Sequence, residues 1–126
     1  MKKTLPTPSA PQALGPYSHV VQSGEWIYMS GQIPLDPATG EVVEGGIKAQ
    51  TARILDTIES LLNDIGLTTD HVVKTTIYLT DIQDFAQVND VYATRFNAPY
   101  PARATVGIAE LPKGARIEID AVIHAP

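Results

Sequence analysis

Between residues 47 and 65, core-compatible side chains recur every three or four positions: Ile47, Thr51, Ile54, Leu55, Ile58, Leu61, Leu62 and Ile65. That period sets them on one stripe of an amphipathic helix of about five turns, with Lys48, Arg53, Asp56 and Glu59 on its wet side. Gly66 is the predicted C-cap, because glycine enters left-handed backbone at no steric cost. A second helix is expected after Thr80-Asp81, whose side-chain oxygens suit an N-cap. Phe85, Val88, Tyr92 and Phe96 form its predicted buried stripe and Asn97 closes it.

Elsewhere the period is two. Residues 17–21 and 26–30 predict a hairpin through the turn Gln22-Ser23-Gly24-Glu25; with Val21 opposite Trp26, Tyr17 falls opposite Ser30. Residues 72–79 predict a strand with Val73, Thr75, Ile77 and Leu79 inward. A strand from Pro101 to Ala109 puts Arg103, Thr105, Gly107 and Ala109 on one face and Ala102, Ala104, Val106 and Ile108 on the other. After the turn Leu111-Pro112-Lys113-Gly114, a last strand turns Ile117, Ile119, Ala121 and Ile123 to the core and leaves Glu118 and Asp120 on its polar face. Residues 1–14, with Pro6, Pro8 and Pro11, read as an extended, loosely docked arm, and residues 31–46 as a long loop.

The predicted order is ββαβαββ in one domain, residues 1–126. Two helices cover only one face of such a sheet, so the expected fold is α+β, a two-layer sandwich with a mixed sheet. The other face carries Tyr28 or Met29, Tyr78, Val122 and small residues such as Gly107 and Ala109. It is too apolar for water, which predicts contact with other subunits.

Composition narrows the function. A formal charge of −5 leaves no global basic footprint for nucleic acid or an acidic membrane. The absence of cysteine excludes disulfides, thiolate nucleophiles and zinc–thiolate sites. His19, His71 and His124 lack ligand spacing, so no metal is expected, and Gly45-Gly46 lacks a phosphate-loop pattern. Met1-Lys2-Lys3 precedes no apolar signal-peptide core and no apolar run approaches ~20 residues, so a soluble, cytoplasmic protein is expected.

The candidate chemistry centres on Arg103. Pro101, which has no backbone donor, suits a strand start, so the arginine sits near a strand end with a planar fork of donors suited to a carboxylate. A structural ion pair is the other reading. Tyr17 taken alone reads as a half-buried strand aromatic, Ser30 as a turn residue, and Glu118 as an ion-pair partner of Arg103, Lys74 or Arg116.

Four blocks change that balance: Gly15-Pro16-Tyr17-Ser18; Ser30-Gly31-Gln32-Ile33-Pro34; Val88-Asn89-Asp90-Val91-Tyr92; and Pro101-Ala102-Arg103 followed by Ile117-Glu118-Ile119. In order and spacing they resemble the RidA (YjgF) family over nearly the whole chain. The resemblance implies a chorismate-mutase-like fold, a homotrimer whose sheets form a central barrel, and clefts at the subunit interfaces. It further implies cofactor-free hydrolysis of 2-imino acids, such as the tautomer of 2-aminoacrylate, to 2-keto acids and ammonia. Arg103 matches the arginine that binds substrate carboxylate and Gly31 the residue whose backbone N–H assists. Tyr17, Ser30, Asn89 and Glu118 match other cleft positions, and Tyr17, Ser30, Arg103 and Glu118 together match the imine-deaminating branch. Thr105 stands in the cleft where many members carry cysteine, so a thiol is not required here. In this reading Glu118 holds or deprotonates a water, and the hydroxyls of Tyr17 and Ser30 relay protons to nitrogen. Two other functions compete: an endoribonuclease or RNA-binding protein, disfavoured by net charge, and a non-catalytic sensor of small carboxylates acting on a protein partner.

Overall fold

A computed structural model describes all 126 residues. The strands are β1 (Lys3–Thr4), β2 (Val20–Ser23), β3 (Trp26–Gln32), β4 (Val72–Leu79), β5 (Ala102–Gly107) and β6 (Ile117–His124); the helices are α1 (Gly46–Asp64) and α2 (Phe85–Tyr92). They form one mixed sheet in the order β1-β2-β3-β6-β4-β5, in which only β4 and β5 pair in parallel. Because β6 runs antiparallel to both its neighbours, β3 and β4 are themselves parallel, and each parallel step needs a crossover. Helix α1 makes the first and α2 the second, and crossovers of one hand put both helices on the same face.

The core lies between. Ile27 and Met29 of β3, Ile77 and Leu79 of β4, and Ile117, Ile119, Ala121 and Ile123 of β6 meet Ile54, Leu55, Ile58, Leu61 and Leu62 of α1. Every second residue of β6 is buried, as its alternation predicts. Each large side chain so buried contributes roughly 1.5–3 kcal/mol. The α1 stripe follows the 3.6-residue period and adds Gln50, whose Oε1 accepts the Arg116 backbone N–H at 2.9 Å. Gly66, with φ +77°, turns the chain out of the helix, donating to Asn63 O. No helix is long and apolar enough to cross a membrane.

Local departures from the sequence expectation have steric causes. Gly24 (φ +62°) lets the hairpin reverse within two residues, so Gln22 and Ser23 join the ladder and Ser23 pairs with Trp26. The register therefore moves by two: Val21 lies opposite Tyr28, and the Ser30 N–H donates to His19 O at 2.8 Å, which leaves Tyr17 outside the strand and not opposite Ser30. Residues 1–14 are not a loose arm. Lys3 and Thr4 pair with β2, and Ser9 donates through N and Oγ to the Asp64 carboxylate at 2.9 and 2.8 Å. In the 31–46 loop, Leu35 and Val42 form an isolated antiparallel bridge.

Val73 was expected inward, but a register shift between Val72 and Lys74 leaves it outside the ladder, so Val72 is buried and Val73 exposed. Beyond the bulge Thr75, Ile77 and Leu79 face the core as expected. Helix α2 is shorter than its pattern implied. Asp81 caps a 3-10 turn at Ile82–Asp84 by accepting from Gln83 N, the helix ends at Tyr92, and Phe96 is buried from the segment beyond. Phe85 is 40% exposed and does not join the core. On the sheet face away from the helices stand Tyr28, Tyr78, Glu118, Asp120, Val122, Ala104 and Val106, whereas Met29 points into the core. Gly107, expected on that open face, pairs with Leu79 and lies on the helix side, where a β-carbon would meet Ile82 at 3.7 Å.

Candidate functional site

Arg103 pairs in register with Thr75, a core-facing residue of β4, so its side chain leaves the sheet on the helix side at the β5 edge. There its guanidinium carbon lies 5.0 Å from the Tyr92 ring centroid and 5.4 Å from that of Phe85. The intrachain ion pairs engage Lys48, Arg53, Arg95, Arg116 and His124, and none engages Arg103. Arg116, one sequence candidate for pairing Glu118, instead grips both oxygens of buried Asp84 at 2.9 and 2.8 Å. The guanidinium thus keeps its charge and its donors.

Around it Asn89, Tyr92, Ala93, Tyr100 and Pro101 complete a pocket of about 480 Å³. Asn89 stands four residues after Phe85 and three before Tyr92, so one face of α2 presents all three. The Tyr92 hydroxyl is hydrogen-bonded to Thr75 Oγ1 at 2.8 Å. Burial pushes its phenol up, opposed by the Thr75 bond and the charge of Arg103. Thr105 lies on the same side as Arg103, and its buried hydroxyl has no hydrogen-bond partner.

Glu118, half-buried, belongs to the opposite face. Burial, and then the neighbouring Asp120 carboxylate, push it above the ordinary glutamate range. The Tyr78 hydroxyl donates to Asp120 Oδ2 at 3.0 Å, completing an acidic group on β4 and β6. Gly31 sits beside Glu118, within the irregular stretch of β3 between Met29 and Gln32. Bulges of this kind re-aim backbone groups and side chains next to functional sites.

Ser30, in the same bulge, donates from Oγ to Ser18 O at 2.6 Å, so its proton is engaged within the chain. Tyr17 is 48% exposed and meets the His19 ring edge-on at 5.5 Å. His19 Nε2 donates to Pro11 O at 2.7 Å, while its Nδ1 accepts from Gln32 Nε2 at 3.3 Å. Tyr17, His19, Gly31 and Gln32 line a second cavity of about 480 Å³ beneath the N-terminal segment. The His, Asp and Glu side chains nowhere gather three together as a metal site would need.

The predicted residues therefore fall into two groups. Arg103 and Asn89 share a pocket at the β5 edge, with Thr105 two residues along the same strand; Gly31 and Glu118 adjoin across β3 and β6, Ser30 precedes Gly31 in the bulge, and Tyr17 lines the second cavity, which Arg53, Thr57 and Ser60 of α1 also wall. Arg103 neighbours Thr75, whose partner on β6 is Ala121, three residues from Glu118. Strand spacing and rise then set Arg103 and Glu118 about 14 Å apart along the sheet, with side chains on opposite faces. Sequence reasoning assigned Phe85 and Tyr92 to the core alone and gave Tyr100 and Asp120 no role. The hydroxyl on the predicted buried stripe at Tyr92 was the signal available, since a buried phenol needs a partner.

Comparison with known proteins identifies the family. The family profile described as endoribonuclease L-PSP matches residues 7–125. Protein DfrA of Myxococcus xanthus is 48% identical over 96% of this chain and 94% of its own length. The 2-iminobutanoate/2-iminopropanoate deaminase of Mus musculus is 43% identical over 97% of this chain and 90% of its own. The crystal structure of RidA from an Antarctic Psychrobacter superposes with a TM-score of 0.91 at 41% identity, covering 97% of this chain and 98% of that one. With a match running through nearly every element that positions Arg103, Gly31 and Glu118, the chain belongs to the endoribonuclease L-PSP family, the RidA (YjgF) family that its four sequence blocks resemble.

Proposed function

We propose that this protein is a 2-iminobutanoate/2-iminopropanoate deaminase that works without metal or cofactor, at clefts between the subunits of a homotrimer. The observation that carries the reading is Arg103: a guanidinium on a rigid edge strand, in a pocket, with no carboxylate of its own chain to neutralise it. The deaminases of mouse and cattle, at 43% and 44% identity, support the choice of reaction. Since Arg103 and Glu118 of one chain point away from each other, a shared substrate requires the β5 edge of one protomer to meet the Glu118 side of another.

In such a cleft Arg103 binds the substrate carboxylate through two parallel hydrogen bonds and orients the adjacent C=N carbon. Glu118 accepts a proton from water as the water oxygen bonds to that carbon, and that proton is passed on to the imine nitrogen, which restores the carboxylate. The tetrahedral adduct then collapses: its hydroxyl proton passes to the amino nitrogen, the C–N bond breaks with its electron pair going to nitrogen, and keto acid and ammonia leave. A positioned base contributes typically about 10²–10⁴-fold. The raised pKa of Glu118 suits the role, because a stronger base takes the water proton more readily.

The test is a coupled assay in which a pyridoxal-phosphate dehydratase releases 2-aminoacrylate and pyruvate formation is followed. Acceleration that survives exhaustive EDTA treatment is expected; a folded protein that leaves the rate unchanged would overturn the proposal. Binding of keto acids without turnover would instead favour a sensor. The family description favours ribonuclease as the second reading, and RNA cleavage that co-purifies through several columns and vanishes in Arg103→Ala would put it first.

A further inference from the structure

We infer that Phe85 and Tyr92 form an aromatic cradle that positions the Arg103 guanidinium for a carboxylate while leaving its charge uncompensated, an inference that rests on the deaminase reading above. Arginine side chains at a sheet edge are usually held, when they are held at all, by an Asp or Glu. That partner would fix the geometry but also occupy the donors and cancel the charge a substrate carboxylate must find. Ring faces avoid both penalties: their quadrupole attracts the cation, and the in-plane N–H groups stay free.

The surroundings favour this arrangement over chance proximity. Tyr92 is fixed twice, by its hydrogen bond to Thr75 at 2.8 Å and by stacking on Phe96 with centroids 4.5 Å apart. Thr75 is also the ladder neighbour of Arg103, so the ring and the arginine are referenced to the same point of the sheet. Phe85, the first residue of α2, lies outside the buried stripe and stays 40% exposed. Its ring instead lies 5.4 Å from the guanidinium carbon. Asn89, on the same helix face between the two rings, lines the same pocket. Phe85 and Tyr92 are thus positioning residues, acting on substrate through Arg103.

The experiment compares Phe85→Leu, Phe85→Trp, Tyr92→Leu and Tyr92→Phe in the full-length protein. It measures KM and kcat for 2-iminobutanoate, and Kd for the unreactive keto acid 2-oxobutanoate by calorimetry. Phe85→Leu keeps apolar bulk at a half-exposed site, so the thermal midpoint should hold while KM and Kd rise about tenfold and kcat changes less. Phe85→Trp restores a ring and should recover KM. Tyr92→Phe and Tyr92→Leu both lose the Thr75 hydrogen bond and should lower the thermal midpoint, but only the leucine removes the ring, so its KM should stand about tenfold above that of the phenylalanine variant. Parental KM and Kd in Phe85→Leu, or equal KM in the two Tyr92 variants, would overturn the cradle while the deaminase reading stood. A parent protein that neither turns over 2-iminobutanoate nor binds 2-oxobutanoate would overturn that reading, and the purpose of the cradle with it.

Discussion

Gly31 lies so close to Glu118 that a β-carbon on it would sit 2.7 Å from the Glu118 carboxyl carbon. The glycine is needed here for space. Glu118 ends in flexible bonds, so Gly31→Ala should move the carboxylate aside at a stability cost of about 1 kcal/mol. A displaced base is expensive for catalysis even when the fold tolerates it, and kcat/KM should fall about 10²-fold. Thermal melts paired with the coupled assay check this; unchanged kcat/KM would mean that Glu118 does not handle the water.

The pH profile should report the same carboxylate. Burial and Asp120 hold Glu118 above the ordinary glutamate range, so activity should rise with pH as this base loses its proton, at a midpoint above that of an ordinary glutamate. Asp120→Asn removes the like charge and should move the midpoint down, with Glu118→Gln abolishing the limb. Stability moves the other way. The folded chain holds its Glu118 proton more tightly than the unfolded chain, so this group's contribution to stability falls as pH rises from the ordinary value to the raised one, and stays lost above it. Chemical denaturation across that window, in parent and Glu118→Gln, tests the sign.

Arg103 separates a structural role from a binding role. It has no ion pair to lose, and its aromatic contacts are partly exposed, so Arg103→Ala should cost about 1 kcal/mol of stability or less. Hydrolysis of 2-iminopropanoate should fall to the uncatalysed rate. Arg103→Lys restores charge but not the planar fork and should recover little. A folded Arg103→Ala protein within a few-fold of parental activity would end the clamp hypothesis.

The proposed cleft draws on two protomers, so the proposal predicts that activity depends on association. The face away from the helices leaves Tyr28 50% and Val106 39% exposed. Val106→Glu should dissociate the assembly, with secondary structure retained by circular dichroism and activity lost. Sedimentation should show a trimer for the parent; a stable, fully active monomer at micromolar concentration would contradict the interfacial site.

Much of this architecture was legible along the chain because burial acts on positions with a fixed local geometry. The 3.6-residue stripe of α1 and the alternation of β6 declare their inner faces from Ile47 to Leu62 and from Ile117 to Ile123, since desolvation selects apolar residues wherever the backbone points inward. The family was legible for a similar reason, as Arg103, Gly31 and Glu118 sit in recognisable local blocks. Other features depended on pairing. The hairpin register turned on how tightly Gly24 reverses the chain, and the facing of Val73 on one unpaired residue in a ladder. In β5 both faces are mixed, so alternation says that Arg103 and Ala104 point apart but not which points to the helices; its parallel pairing with β4 decides that. Phe85 fits a buried stripe by spacing and was drawn from it to a cation eighteen residues further along the chain. The sequence by itself determined the inner faces of α1 and β6, the existence of both helices and the family, but not strand β1 or the bounds of α2. Only the tertiary structure decided that Arg103 and Glu118 stand on opposite sides of the sheet, because the absolute face of a strand is set by its neighbours and not by its own period.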